Sequence, residues 1–381
     1  MDAWTSDSRL TAIAGKFGTP CYVYDLSVFR NRVREIRESF DITSFQLLFA
    51  SMANPREEFL RTAAELGVGA CVNSLTHLSM AEGAGIDTEA IQFSSTGISR
   101  HDMMELRKRG VRVNLDSEGQ AEQWFSISKG SRAGIRINAG SLRNGSGDRI
   151  GIATGMLDKL VSVAKSHGGQ IEGLHVYVGT SFPSSEGMLP VLERLFDLAK
   201  TVPELRYVNI GGGIGIDYAG HSEFDLPRFG SAVGELCRSI RTYFGRDIQL
   251  FFEPGRSLAA RAGIFLTSVT DVKELDGKRY IAVDGSVAVF PRPLHHPDSP
   301  HKVRVLLSAD SGLGDQDDAV VVGRTTFSRD ILAACRLPKD IKVGDILAFE
   351  DAGAYCWSMA SRFLGQPEPA TVCLGRDWPS I

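Results

Sequence analysis

The chain is poor in close cysteine pairs, in long apolar runs and in any surplus of positive charge, and each shortage removes a class of protein. Its six cysteines, Cys21, Cys71, Cys237, Cys335, Cys356 and Cys373, are scattered through 381 residues. They lack the paired spacing of a zinc site and the density of a disulfide scaffold, so reduced thiols and no metal centre are expected. No stretch reaches the roughly 18 to 20 apolar residues needed to cross a bilayer, so no membrane span is expected. The opening residues, Met1 to Asp7, carry neither the basic nor the apolar part of a signal peptide, and a cytoplasmic location is expected. Lys and Arg number 42 against 46 Asp and Glu, a formal net charge of −4. That leaves no general basic excess for a phosphate backbone, and nucleic acid is not an expected partner. What is there is a chain 43% hydrophobic, with 40 glycines, enough for one large domain or two ordinary ones.

Between about residues 28 and 255, short β-like runs alternate with amphipathic helical stretches. The runs are 46–50, 69–72, 91–94, 112–115, 133–137, 171–176, 207–210 and 249–252, and helical periodicity fills segments such as 56–66, 100–109, 156–166, 188–200 and 226–244. Eight strands alternating with helices predict a TIM-like (β/α)8 barrel over 28–255. After Arg256 the strand-like runs 264–270, 279–284, 302–307, 319–322 and 345–349 follow with little helix between them. They predict a β-rich C-terminal domain of sandwich or barrel type. The β-like run Cys21 to Tyr24 precedes the barrel pattern and is expected to pair into that later sheet, so that 1–27 joins 256–381 in one domain.

Asn209-Ile210-Gly211-Gly212-Gly213-Ile214-Gly215-Ile216 follows a late strand of the barrel pattern. Consecutive glycines leave backbone N–H groups free to converge on an anion, and late barrel strands often build phosphate sites; a plain tight turn uses the same triplet. The next strand ends in Glu253-Pro254-Gly255-Arg256. A guanidinium fork suits phosphate, and a buried carboxylate can keep a heteroaromatic nitrogen protonated, while a salt bridge between Glu253 and Arg256 is the plainer alternative. By period-two alternation His175 and Tyr177 share one strand face, with the hydroxyls of Thr180 and Ser181 following at the rim; a structural histidine also fits that place. Asp284 and the turn Asp351 to Tyr355 are weaker signals, Tyr355 either capping a phosphate or closing a hairpin.

Taken in order along nearly the whole chain, the motifs resemble those of the fold type III pyridoxal 5′-phosphate (PLP) decarboxylases, which include diaminopimelate, ornithine and arginine decarboxylases. The resemblance is carried by Phe17 to Asp25, Gly211-Gly212-Gly213, Glu253-Pro254-Gly255-Arg256, Gly344-Asp345, Ala352-Gly353-Ala354-Tyr355 and Ser358 to Ser361. It implies an alanine racemase-like barrel followed by a β domain, PLP as cofactor and a small amino acid as substrate. It implies Gly212, Gly213, Arg256, Thr180 and Tyr355 around the phosphate, with Gly255 in the same motif. Glu253 would meet the pyridine nitrogen and Arg136 would support the ring. Tyr177 stands where the family usually places a histidine stacked on the ring. A homodimer is also implied, each site completed by the partner through the loop Gly323 to Asp330.

The departures are as informative. Phe49-Ala50-Ser51-Met52-Ala53-Asn54-Pro55 resembles the family's lysine motif with Met52 at the Schiff-base Lys position, and a thioether cannot form an imine. In Gly323 to Asp330, Thr326 and Phe327 occupy the places of the family's catalytic Cys and the acid after it, and Cys71 replaces an acid usual in the barrel. Several departures together favour natural divergence over a single Lys-to-Met change. PLP is then expected to be held noncovalently. The expected reaction is decarboxylation at Cα, with epimerisation or elimination open from the same carbanion. The alternatives are a non-catalytic or regulatory paralogue with a relic pocket, and a pocket turned to another phosphorylated ligand.

Overall fold

The computed structural model describes residues 3–127, 129–143, 145, 149–218, 223–306 and 315–374. Strand β1 (Cys21–Asp25) belongs to a sheet treated below. The barrel strands are β2 (Phe45–Ala50), β3 (Gly69–Val72), β4 (Ile91–Ser94), β5 (Arg112–Leu115), β6 (Arg132–Ile137), β7 (Gln170–Val176), β8 (Tyr207–Asn209) and β9 (Gln249–Phe252). Each pairs in parallel with the next, and β2 closes on β9 with Phe45 opposite Leu250 and Leu47 opposite Phe252. The predicted (β/α)8 barrel is the observed one.

The intervening helices start and stop where their end residues demand. Arg100–Arg109 begins at Ser99, whose hydroxyl accepts the Asp102 N–H, and ends at Gly110 in the left-handed conformation with φ 72°, three basic residues filling its last turn. Leu226–Phe244 is capped by Asp225, has proline in its first turn and stops at Gly245 with φ 65°. Helices Asp7–Phe17, Leu75–Gly83 and Glu118–Ile127 lie outside the segments that periodicity marked.

The barrel interior buries polar side chains alongside the apolar Leu48 and Phe251. Gln92, Asn114 and Asn209 have no exposed surface, yet they sit on strands whose outward positions are apolar, as alternation requires when those positions pack under helices. The ring of Tyr207 crosses the interior over two glycines, since a Cβ on Gly134 would lie 2.0 Å from its hydroxyl and one on Gly173 would lie 2.2 Å from its ring. Its hydroxyl donates to Asn114 Oδ1 at 2.7 Å, so burial leaves no orphan there.

The second sheet contains β10 (Gly263–Leu275), β11 (Lys278–Val283), β12 (Val303–Val305), β13 (Gln316–Val322), β14 (Ile331–Pro338), β15 (Ile346–Phe349) and β16 (Ala370–Leu374). Its order is β12-β15-β10-β11-β13-β14. Strand β1 joins this sheet as expected, antiparallel to β10 with Tyr22 opposite Phe265 and parallel to β16 with Val23 opposite Val372. Tyr22 and Phe265 pack at 4.9 Å between ring centroids, and Phe265 stacks on Phe290 at 4.5 Å. Of the expected run 302–307, only Val303–Val305 is strand, and Leu307 lies outside the described residues. Strands β14 and β16 had no expectation; the Ala333-Ala334 pair in β14 is weak in β propensity and is held by its register with β13.

The chain forms two compact units, Arg32–Ile216 with Ser222–Ser257, and Met1–Asn31 with Asp217–His221 and Leu258–Ile381. Among the described residues no helix is long and apolar enough to cross a membrane.

Candidate functional site

In the barrel unit, Met52 lies in the single turn Ser51–Ala53 that leaves β2. Ala50 N–H donates to the Pro254 carbonyl at 3.2 Å, and a Cβ on Gly255 would fall 2.9 Å from that of Ala53. The turn bearing Met52 therefore packs directly on the turn Glu253 to Arg256, and Gly255 is required by that approach. Met52 is partly buried against Leu48, Cys71, Tyr207 and Phe251. Beside it Ser51 Oγ donates to the Cys71 carbonyl at 3.0 Å and meets His77 Nδ1 at 3.2 Å. Burial pushes the His77 imidazole below its ordinary range.

Glu253 follows β9 and is only 7% exposed. Its Oε1 accepts from Asn209 Nδ2 at 2.5 Å and its Oε2 faces His175 Nε2 at 3.2 Å. A carboxylate only accepts, so His175 carries its proton on Nε2. Among the described residues its Nδ1 is then a buried acceptor without a partner. Burial lowers His175 and keeps it neutral, against the pull of Glu253. Burial alone raises Glu253, but His175, the Asn209 amide and the Arg136 charge outweigh it and hold the carboxyl below its ordinary range. Burial and the Glu253 charge together push the Cys71 thiol up and hold it neutral. Among the described residues the side-chain partners of Glu253 are thus His175 and Asn209, and not the Arg256 of the plainer alternative.

The glycine loop lies next to this acid. Gly211 has φ 65° and Gly213 φ 102°. A Cβ on Gly212 would stand 2.4 Å from the Glu253 carbonyl oxygen and one on Gly213 2.7 Å from that of Gly179. Phe182 N–H donates to the Gly213 carbonyl and Gly215 N–H to that of Phe182, both at 2.9 Å, which ties Thr180 and Ser181 to the same rim. Among the described residues the N–H groups of Gly212 and Gly213 have no acceptor. Arg256 is buried at the start of the short helix Arg256–Ala259.

Arg136, on β6, lays its guanidinium over the Tyr177 ring at 5.6 Å. Among the described residues its Nε is buried without a hydrogen bond, with Asp116 Oδ1 at 4.0 Å. The barrel unit so brings together Met52, Arg136, His175, Tyr177, Thr180, Gly212, Gly213, Glu253, Gly255 and Arg256 at or just beyond the C-terminal ends of its strands.

Tyr355 and Thr326 belong to the other unit. Tyr355 is partly buried with φ 57°. Thr326 is exposed in a loop organised by Asp330, which accepts from Val287 N–H at 2.8 Å and Thr325 N–H at 3.0 Å. Asp284 is structural, accepting from the hydroxyls of Thr19 and Thr267 and from Ser268 N–H. Asp351 adopts φ 58°. Its carboxyl is pushed up to about 6 by burial and Glu350, against Arg261, Arg292 and Lys302. Above that pH it is charged folded and unfolded alike, and the folded state bears the full cost; below the unfolded value the cost vanishes. Asp351→Asn, which keeps a residue tolerant of positive φ, should stabilise the protein by about 1–2 kcal/mol at pH 8. The gain should shrink toward pH 4.5, as urea midpoints at the two pH values will show.

Asn209, Gln92 and Asn114 are barrel-interior residues next to the site that the sequence reading did not assign. The available signal was an amide at an inward position of a short strand whose outward positions are apolar: Gln92 in Ile-Gln-Phe-Ser and Asn114 in Arg-Val-Asn-Leu.

Residues 26–260 match the model of the family described as "Pyridoxal-dependent decarboxylase, pyridoxal binding domain". The diaminopimelate decarboxylase of Methanothermobacter thermautotrophicus is 28% identical over 94% of this chain and 87% of its own length. That of Actinosynnema pretiosum subsp. auranticum is 30% identical over 95% and 85%. The crystal structure of Helicobacter pylori diaminopimelate decarboxylase complexed with L-lysine superposes with a TM-score of 0.87 at 25% identity, covering 96% of this chain and 94% of that one. With a closed barrel, a glycine loop beside a buried acid, and these similarities across most of its length, the chain belongs to the pyridoxal-dependent decarboxylases, whose cofactor is pyridoxal 5′-phosphate.

Proposed function

We propose that the barrel rim binds PLP without a covalent bond and acts at Cα of an amino acid, with decarboxylation as its reaction. The observation that supports this most is Glu253: a buried carboxylate kept ionised by His175 and Asn209, with Gly212 and Gly213 offering unused N–H groups alongside. A heteroaromatic ring with an anionic tail fits these groups. The carboxylate accepts a hydrogen bond from a protonated ring nitrogen, the N–H groups donate to phosphate oxygens, and among the described residues His175 Nδ1 and Arg136 Nε are buried polar atoms without a hydrogen bond.

When bound, PLP supplies an electron sink for the charge left at Cα. The chain's own residues bind and orient. Gly212, Gly213 and Arg256 hold the phosphate, with Thr180 and Tyr355 assigned to it by resemblance. Glu253 holds a proton at the ring nitrogen, and Tyr177 with Arg136 flanks the ring. We place the cofactor-binding barrel at 28–255 and the β domain at 1–27 plus 256–381. Diaminopimelate, named in the relatives, is the first substrate to try. In the same reading the chain is a cytoplasmic homodimer. The exposed Met359, Phe363 and Leu364, with Phe363 edge-on to Phe327 at 6.0 Å, form an apolar edge beside the Thr326 loop suited to a second copy.

A non-catalytic paralogue is the second reading, favoured by the packing of Met52 against a cluster of buried side chains. One set of measurements separates the two. Titration with PLP should give a saturable chromophore that borohydride does not fix to the protein, with slow CO2 release from at least one of a panel of amino acids. Sedimentation at micromolar concentration should show a dimer. Absence of saturable PLP binding overturns the cofactor reading, binding without CO2 release leaves the paralogue, and a monomer removes the shared site.

A further inference from the structure

Asn209 has no exposed surface and makes three side-chain hydrogen bonds. Its Oδ1 accepts the Gly211 N–H at 2.8 Å. A main-chain N–H can only donate, so the amide orientation is fixed and Nδ2 must face the other way. There it donates to Gln92 Oε1 at 2.6 Å and to Glu253 Oε1 at 2.5 Å. Glu253 N–H in turn donates to the Gly211 carbonyl at 2.7 Å. Asn209, Gly211 and Glu253 thus close a ring of hydrogen bonds that joins the glycine loop to the acid.

The ring is braced from inside the barrel. Asn114 Nδ2 donates to the same Gln92 Oε1 at 3.0 Å and to Ser94 Oγ at 2.9 Å, while Tyr207 fixes Asn114 by donating to its Oδ1. The Gln92 oxygen accepts two donors, while its own Nε2 is buried without a partner among the described residues. That is a cost an interior built only for stability would avoid with an apolar side chain. It is explained if the oxygen's task is to hold Asn209 in place.

We propose that Asn209 is a positioning residue for cofactor recognition: it ties the phosphate loop to Glu253 and, braced by Gln92, sets the direction in which the carboxylate presents its remaining lone pairs. Asn209 fixes Oε1 and His175 fixes Oε2, so the carboxylate plane cannot rotate. This inference rests on the reading of Glu253 as the partner of a ring nitrogen.

The test compares the affinity of the purified protein for PLP with that for its carbocyclic analogue, in which the ring nitrogen is replaced by C–H. Both ligands carry the phosphate, so a merely loosened loop weakens both alike and leaves their ratio unchanged. The wild-type protein should prefer PLP, and Glu253→Gln should abolish the preference. Asn209→Leu should cut it about tenfold, the loss expected for one buried hydrogen bond to a charged group. Gln92→Leu, which keeps the Asn209 side chain, should cut it about threefold and serves if Asn209→Leu does not fold. An unchanged ratio in the folded Asn209→Leu protein, or in Gln92→Leu where only that variant folds, overturns the proposal while leaving the cofactor reading intact. A preference absent from the wild type, or one that survives Glu253→Gln, overturns the cofactor reading itself.

Discussion

Met52→Lys should convert a protein that holds PLP noncovalently into one that borohydride labels at residue 52. The turn carrying Met52 rests on the turn Glu253 to Arg256 through the Ala50–Pro254 hydrogen bond and the contact of Gly255 with Ala53, so an amine there lies on the same rim as the acid and the glycine loop. Its surroundings, Leu48, Cys71, Tyr207 and Phe251, desolvate it and favour the neutral, nucleophilic form. Condensation with the cofactor aldehyde expels water, and borohydride then reduces the carbon–nitrogen bond to one that survives peptide mapping. The chromophore should move toward the visible edge, and CO2 release should rise well above the wild-type rate. A Met52→Lys protein that is folded but takes up no PLP defeats the enzyme reading. One labelled at residue 52 that releases no CO2 leaves a PLP protein whose reaction is not decarboxylation.

How much of this was legible in the sequence follows from what each residue had to satisfy. The barrel strands were plain because they are short apolar runs at regular spacing between helical stretches, and Cys21 to Tyr24 declared itself by being β-like where no barrel strand was needed. Gly211 to Gly213 and Glu253 to Arg256 stood out because backbone approach and charge left few other residue types possible there. Asn209, Gln92 and Asn114 were hidden for a different reason. An isolated amide in an apolar strand has no local partner, and the groups that satisfy it come from strands far apart in sequence. Asn209 lies 117 residues from Gln92 and 44 from Glu253. The state of Glu253 was equally out of reach, because burial and hydrogen bonding act on it in opposite senses and only the assembled geometry shows which prevails. Asp284 illustrates the converse: a strand-end acid that looked like a functional signal is spent on capping Thr19, Thr267 and Ser268.

Arg256→Ala should lower the affinity for PLP by about 10- to 100-fold, the range for losing charge-assisted hydrogen bonds in a poorly hydrated place. The side chain is 7% exposed, so water screens its charge-assisted hydrogen bonds little. The glycine loop contributes N–H groups but no formal charge, and the family resemblance assigns Arg256 as the cation that balances a phosphate dianion. The decisive control is pyridoxal, which has the ring and aldehyde without the phosphate. If Arg256 reads the phosphate, Arg256→Ala should weaken PLP and leave pyridoxal affinity within about twofold. Arg256→Lys should fall between, because an ammonium keeps the charge but loses the planar fork. Should both ligands weaken equally in a variant with an unchanged urea midpoint, Arg256 shapes the rim as a whole and the phosphate assignment is wrong. Should neither weaken, the phosphate lies elsewhere, and the unused N–H groups of Gly212 and Gly213 would need another ligand.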